Sequence, residues 1–426
     1  MKRLPFAALC ALFSCGAFAQ VDQLSDQLEQ KVISWRRDIH ANPELGNREF
    51  RTAKLVADHL RSLGLEVKTG VAHTGVVGVL RGGKPGPVVA LRADMDALPV
   101  TEETDVPFAS KAKANWAGKE TGVMHACGHD GHVAILMGVA ELLSKMKDQL
   151  PGTVKFIFQP AEEGLPPGEE GGARLMVKQG VLENPVPEAI FGLHLSSGGP
   201  FGRIGFRSGP YMSSSDNFKI VVKGRQTHGA RPWAGVDPIV IAAQIVLGVQ
   251  TIASRQIDVS LEPSIVTIGA IHGGNRENII PDEVEMIGTV RTFNEEMRRD
   301  IHRRIKQTAE AIAASAGGSA AFTLYEGYDT TVNHEKLTER AVASLRRSNT
   351  GATGVVMIPK ITASEDFSAY QKVIPGFFYH LSGRPGNMPA EKIGPNHSPM
   401  FVLDEAVLKI GVRSLASVTL DYLNGK

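Results

Sequence analysis

Three short apolar runs in this chain each end in residues that can bind a metal or move a proton. Val88-Val89-Ala90-Leu91 leads into Arg92-Ala93-Asp94-Met95-Asp96, Val154-Lys155-Phe156-Ile157-Phe158 into Gln159-Pro160-Ala161-Glu162-Glu163, and Ala189-Ile190-Phe191-Gly192-Leu193 into His194. Compact runs rich in β-branched residues, without polar alternation, predict strands buried on both faces of an α/β sheet. Open α/β sheets carry their sites at the carboxyl ends of the strands. The pattern therefore predicts both a fold class, α/β, and the edge of the sheet where the chemistry lies.

The stretch Met124-His125-Ala126-Cys127-Gly128-His129-Asp130-Gly131-His132 packs three imidazoles and a thiol into nine residues. Glycines let the backbone turn tightly while thiolate and imidazole converge on one point, as a borderline metal requires. A buried, inert Cys beside solvated histidines is the competing reading.

The chain opens like a secretory leader. Lys2 and Arg3 precede an apolar run over 4–13, and Ala17-Phe18-Ala19 before Gln20 is a small-x-small cleavage site. The run is too short to span a bilayer, and no later segment offers about 18 uninterrupted apolar residues. The expectation is a periplasmic or secreted protein with no membrane span. Leu12-Phe13-Ser14-Cys15-Gly16 offers lipidation at Cys15 as an alternative, disfavoured by the bulky Phe13. Cleavage after Ala19 removes Cys10 and Cys15 and leaves Cys127 as the lone thiol, which excludes a disulfide-built fold. It also leaves 44 basic against 45 acidic residues. Near-neutrality without a basic run removes the electrostatic case for nucleic acid or an anionic membrane.

A length of 426 residues suggests two or three domains. An amphipathic opening helix (Leu24, Leu28, Val32, Trp35, Ile39) is followed by strands over 76–80, 88–91, 154–158 and 189–193. From about Pro210 the pattern changes. Phe218, Ile220 and Val222 alternate with lysines, Asp237-Pro238 caps a helix to about Ser254, strands follow over 265–270 and 284–290, then a helix over 295–315 and a strand over 321–324. That β-α-β-β-α-β order predicts a ferredoxin-like α+β module inserted into the larger domain. Strands over 354–358 and 377–381 and a helix from Asp404 return to the first pattern. The expected boundaries are a leader at 1–19, a first catalytic part at 20–209, the insert at 210–327 and a second catalytic part at 328–426.

The candidate ligands are Cys127, His129, Glu163, His194 and His397. Five donors exceed what one tetrahedral ion needs and suit two metals that share a bridging ligand and a water. The carboxylates of Glu162 and Glu163 are adjacent in the chain and can point apart, so one can hold metal while the other serves as a proton shuttle.

Seven motifs, in order along nearly the whole mature chain, carry a resemblance: Arg37-Asp38-Ile39-His40-Ala41-Asn42-Pro43-Glu44, residues 91–99, 124–132 and 158–163, Gly192-Leu193-His194, Ser364-Glu365-Asp366-Phe367 and Asn396-His397-Ser398-Pro399. The chain resembles the aminoacylase and glutamate carboxypeptidase family of di-metal amidohydrolases, metallopeptidase family 20, and within it the hippurate hydrolases, N-acyl-amino-acid amidohydrolases and auxin-conjugate hydrolases. The resemblance implies a di-metal peptidase domain with an inserted lid or dimerisation domain, and the five ligands above with Glu162 as general base. It implies Asp96 behind the metal-binding imidazole, and keeps Asp94 out of the ligand set. It also implies His228, in Thr227-His228-Gly229-Ala230, as a donor to the oxyanion, sometimes across a homodimer interface. Asn278 and Arg291 are implied substrate-side candidates, a strand-face salt bridge being the equal alternative for Arg291.

The expected substrate is an N-acyl amino acid, and the cofactors two divalent ions: zinc because of the thiolate, with manganese, cobalt or nickel also able to fill a mixed site. A dipeptidase or carboxypeptidase is the alternative on the same metals. A Cys127 thiol hydrolase is disfavoured because a metal-bound thiolate cannot attack, and a periplasmic metal- or peptide-binding protein because it has no use for a Glu162 that does not ligate metal.

Overall fold

The computed structural model describes residues 6–348 and 350–425; residues 1–5, which hold the charged start of the expected leader, lie outside the described residues. The chain divides into two compact units. The first comprises Met1–Gly209, Asn333–Ile358 and Ala369–Lys426, the second Pro210–Val332 with Pro359–Ser368. The second unit thus runs past the expected boundary at 327 and takes back a short later segment.

Helix α1 (Phe6–Ala41) runs unbroken through the expected cleavage point after Ala19. Its later part buries Val21, Leu28, Val32 and Ile39 at the spacing expected from the sequence. After α2 (Phe50–Ser62) come β1 (Glu66–Val71), β2 (Gly75–Arg81), β3 (Lys84–Asp94), the helix α3 (His129–Lys145), β4 (Pro151–Gln159), β5 (Ala189–Ser196) and β6 (Arg203–Phe206). Helix α3 is buried along nearly its whole length and packs against α1.

In the second unit, β7 (Asp216–Lys223) and β8 (Thr227–His228) lead to α4 (Pro238–Thr251), where Asp237 accepts the N–H groups of Ile239 and Val240. Then follow β9 (Ser264–Gly273), β10 (Ile279–Ile280), β11 (Glu283–Thr292), α5 (Glu295–Ser315), capped by Asn294, and β12 (Ser319–Glu326). The four long strands form an antiparallel sheet in the order β9-β11-β7-β12. This is the strand order of a split β-α-β, ferredoxin-like module. Its core is Phe218, Ile220 and Val222 against Ile241, Ile245, Ile301 and Ile305. Pro238–Gln256 is long and apolar enough to cross a membrane by composition. Its Ile241, Ala242, Ile245 and Val249 are buried, while Ile239, Val240 and Leu247 are exposed.

The first unit closes with β13 (Gly354–Met357), β14 (Gly376–Ser382) and α6 (Ala406–Leu423). Its eight-stranded sheet has the order β1-β2-β4-β3-β5-β14-β6-β13. The four middle strands, β4, β3, β5 and β14, run parallel. Asp94 is in register with Gln159 and His194 with His380, so the carboxyl ends of these strands lie along one edge. Almost every side chain of β4 and β5 is buried, as their unbroken apolar runs demanded.

Candidate metal centre

Four segments of the first unit deliver side chains to that edge. Cys127 and His129 sit at the start of α3, where Gly128 adopts φ 92°, a left-handed conformation that glycine enters without a Cβ clash. Glu162 and Glu163 follow β4, His194 belongs to β5, and His397 lies in a loop before α6. The Cys127 Sγ atom stands 3.4 Å from His194 Nε2 and 3.2 Å from His397 Nε2. Glu163 Oε1 is 3.3 Å from His397 Nε2 and 3.6 Å from His129 Nε2, and Glu162 Oε2 is 4.0 Å from His129 Nε2.

These atoms form overlapping sets, each within 4.8 Å: Cys127 with His129 and His194, Cys127 with Glu163 and His397, and His129 with both glutamates. The sulfur is common to the first two. The structure therefore brings all five expected ligands and Glu162 together, with Cys127 in the shared position.

Tautomers follow from the hydrogen bonds. A carbonyl oxygen can only accept, so His194 must carry its proton on Nδ1, which donates to Leu195 O at 2.7 Å. Its Nε2 then offers a lone pair on the sulfur side. His129 Nδ1 faces Asp96 Oδ1 at 3.3 Å, and its Nε2 is buried without a hydrogen bond. A carboxylate behind a ligating imidazole fixes the ring and raises its basicity. Asp96 Oδ2 also accepts the Glu163 N–H at 2.8 Å, so one carboxylate positions two ligand residues.

The donor set fits divalent cations. Burial and the charges of Glu163 and Glu162 hold the Cys127 thiol well above its usual range. Burial opposes protonation of His129, but Asp94, Asp96 and Glu163 push it up to about 10. A buried thiol, two carboxylates and an orphaned imidazole nitrogen form a cluster that positive charge stabilises.

Asp94, His129 and His132 also lie close enough to suggest a metal set. The bonding speaks against it. His132 Nε2 accepts the Leu195 N–H at 2.7 Å, and its Nδ1 donates to Asp94 Oδ1 at 2.6 Å, which uses both nitrogens. Arg92 Nη1 donates to Asp94 Oδ2 at 2.5 Å, and Arg92 Nε to Gln159 Oε1 at 2.9 Å.

His397 adopts φ 71°, unusual for a residue with a Cβ. Three bonds from its loop hold it there. Its N–H donates to Ala126 O at 2.8 Å, and Asn396 Nδ2 donates to Cys127 O and Leu195 O, each at 3.1 Å. Asn396 thus ties the Cys127 turn, the end of β5 and the His397 loop together. The sequence reading named it only as part of a motif, and gave no role to His132 or Arg92.

His228, Asn278 and Arg291 belong to the second unit. His228 pairs with Ile279 between β8 and β10, and Gly229 N donates to Asn278 O at 2.8 Å, so His228 and Asn278 are neighbours. His228 Nδ1 accepts the Ala230 N–H at 3.0 Å, which leaves the proton of the neutral ring on Nε2. Arg291 Nη1 donates to Ser364 Oγ at 3.1 Å. No acidic partner of Arg291 within ion-pair distance is found among the described residues.

The chain is 43% identical over 400 residues to thermostable carboxypeptidase 2 of Saccharolobus solfataricus, covering 93% of this chain and 97% of that one. It is 38% identical over 394 residues to an N-acetylcysteine deacetylase of Bacillus subtilis, covering 92% and 97%. Among solved structures, a dinuclear metal binding peptidase from the M20 family of Bacillus subtilis matches with a TM-score of 0.78 at 36% identity, covering 94% of this chain and 99% of that one. The pattern of peptidase family M20/M25/M40 matches residues 90–421, and the chain belongs to this family.

Proposed function

We infer that this metal-dependent amide hydrolase cleaves N-acyl amino acids, releasing a carboxylic acid and a free amino acid. The observation that carries the reading is the Cys127 sulfur shared between two donor sets, with a second carboxylate, Glu162, beside the ligand Glu163. Cys127, His129, Glu163, His194 and His397 would hold two divalent ions, zinc by the thiolate criterion, with manganese, cobalt or nickel as alternatives. When bound, the ions supply Lewis acidity, making a water more acidic and a carbonyl more electrophilic.

The chain's own groups do the rest. Glu162 takes a proton as water oxygen bonds to the amide carbon, and returns it to the nitrogen as the C–N bond breaks. Asp96 holds His129 and the Glu163 peptide in place. His228 is proposed as oxyanion donor through Nε2–H, and Asn278 and Arg291 as binding groups for the polar ends of the substrate.

A carboxypeptidase reading is favoured by the name of the 43% identical relative, as the acyl-amino-acid reading is by the deacetylase. A hydrolysis screen of the metal-supplemented protein over acetyl-, benzoyl- and indoleacetyl-amino acids beside a dipeptide panel decides between them. Turnover confined to dipeptides overturns the first reading. We further propose export through the leader ending at Ala19, and a homodimer through the second unit, where the exposed Ile239, Val240 and Leu247 offer an apolar face.

A further inference from the structure

Glu49 is fully buried, and its side chain does not do what its position suggests. It stands immediately before α2, at the N-cap, yet makes no capping bond to that helix. Glu44 does the capping instead, accepting the N–H groups of Arg51 at 2.9 Å and Thr52 at 2.8 Å. Glu49 Oε1 accepts the N–H of Ala161 at 2.9 Å and that of Asn47 at 3.1 Å, and Oε2 accepts the Thr74 hydroxyl.

Ala161 is the residue before Glu162. It is fully buried and adopts φ 53°, a conformation that costs a residue with a Cβ about 1 kcal/mol or more. Such a residue stays there only when its surroundings hold it. Two N–H groups flank Glu162, and each is held by the carboxyl oxygen of a buried acid: Ala161 by Glu49, Glu163 by Asp96. The segment before Glu49 is pressed onto the same loop. A Cβ on Gly46 would meet Gly164 O at 2.7 Å and Ala161 Cβ at 3.1 Å, and Asn47 Nδ2 donates to Glu169 Oε2 and Glu170 O.

We propose that Glu49 is the positioning residue for Glu162, its Oε1 clamping the Ala161 N–H and so aiming the carboxylate that moves the proton. An apolar residue would fill the same space without the cost of burying an acid. The inference rests on the reading of Glu162 as general base. The reacting atoms need near-ångström placement, and a 1 Å error costs about 10²-fold in rate.

The test compares Glu49→Leu, which removes the acceptor, with Glu49→Gln, which keeps a carbonyl at Oε1 and an amide able to donate to Thr74. For Glu49→Leu, kcat is expected to fall by about 10- to 100-fold with KM nearly unchanged. Metal content at saturation should stay at the wild-type level. Glu49→Gln should stay within about threefold of wild-type kcat. In metal-free protein, amide exchange over 159–163 should quicken in Glu49→Leu and not in Glu49→Gln. Normal kcat in Glu49→Leu, or equal losses in both variants, overturns the proposal. If Glu49→Leu yields no soluble protein, Thr74→Val carries the test by removing one donor from Oε2, and a kcat identical to wild type overturns it. Glu162→Gln, measured in parallel, separates the two claims. An active Glu162→Gln enzyme sinks the general-base reading, whereas an inactive one beside a fully active Glu49→Leu sinks only the clamp.

Discussion

Asp94 Oδ1 holds His132 Nδ1 at 2.6 Å, and this bond takes a histidine of the most metal-like stretch of the sequence out of the metal chemistry. With Leu195 N–H on its other nitrogen, His132 has no lone pair to give. It braces the backbone of Leu195, the residue whose carbonyl sets the tautomer of His194. His132→Phe should therefore keep two metals per subunit at saturating metal while lowering Tm, because buried groups lose partners worth about 1–3 kcal/mol each. Elemental analysis that returns one metal per subunit would make His132 a ligand after all.

The two adjacent glutamates should separate cleanly. Glu163→Ala is expected to lower metal occupancy. Glu162→Gln should keep the metals and lose most of kcat, since it preserves shape and removes the proton acceptor. Metal content measured beside steady-state kinetics distinguishes the two, and near-normal turnover in Glu162→Gln contradicts the assignment.

Cys127 offers a test that needs no substrate. Coordination occupies the sulfur lone pair, so an alkylating reagent should modify the metal-loaded protein slowly and the chelated protein faster. Mass spectrometry reads the rates. Equal rates in the two states would remove the thiolate from the ligand set.

For His228, loss of a single oxyanion donor costs about 10²–10³ in kcat. His228→Ala should show that loss with metal content and Tm unchanged. Unchanged turnover would strike the residue from the mechanism.

The second unit should be acid-sensitive for an identifiable reason. Arg298 grips Asp216 through two bonds, of 2.7 and 2.6 Å, and reaches Asp329 at 2.7 Å. Burial alone would raise the Asp216 pKa, but Arg298 and His302 outweigh it and hold the carboxyl below its ordinary range. A depressed folded-state pKa gives stability that is complete above the unfolded value of about 4 and is lost as pH falls below it. Asp216→Asn should lower Tm at pH 7, where breaking such a pair costs about 3–5 kcal/mol, and the gap should narrow below pH 4. A pH-independent gap would show that the pair does not titrate as described.

Local pattern carried much of this into the sequence. β4 and β5 were legible because burial on both faces demands unbroken apolar runs, and α4 because Asp237-Pro238 stands at its start. β1 was missed, since Glu66-Val67-Lys68-Thr69-Gly70-Val71 is an exposed edge whose partner, not its own pattern, makes it a strand. β6 is only four residues long, too short for a period to declare itself. The ligand residues stood out because few chemistries use Cys, His and Glu so placed. Their supports did not. Asn396, Glu49 and Arg92 are ordinary polar residues until tertiary contacts bring a distant N–H or carbonyl to each, and no spacing along the chain announces such a partner.

The place of β14 governs how the molecule can be made. It lies between β5 and β6, yet it leaves the ribosome only after the entire second unit, and β13, the other neighbour of β6, is late as well. During synthesis β5 has one open edge and β6 has no partner at all. Unpaired edges are templates for unwanted association. His397 arrives later still, so a chain cut short before β14 lacks both a complete sheet and a full set of ligands, and one cut between β14 and His397 has every strand but still lacks a ligand. Termination before β14 therefore leaves strand edges open and the metal site incomplete at once, so the sheet and the site are finished by the same last stretch of chain.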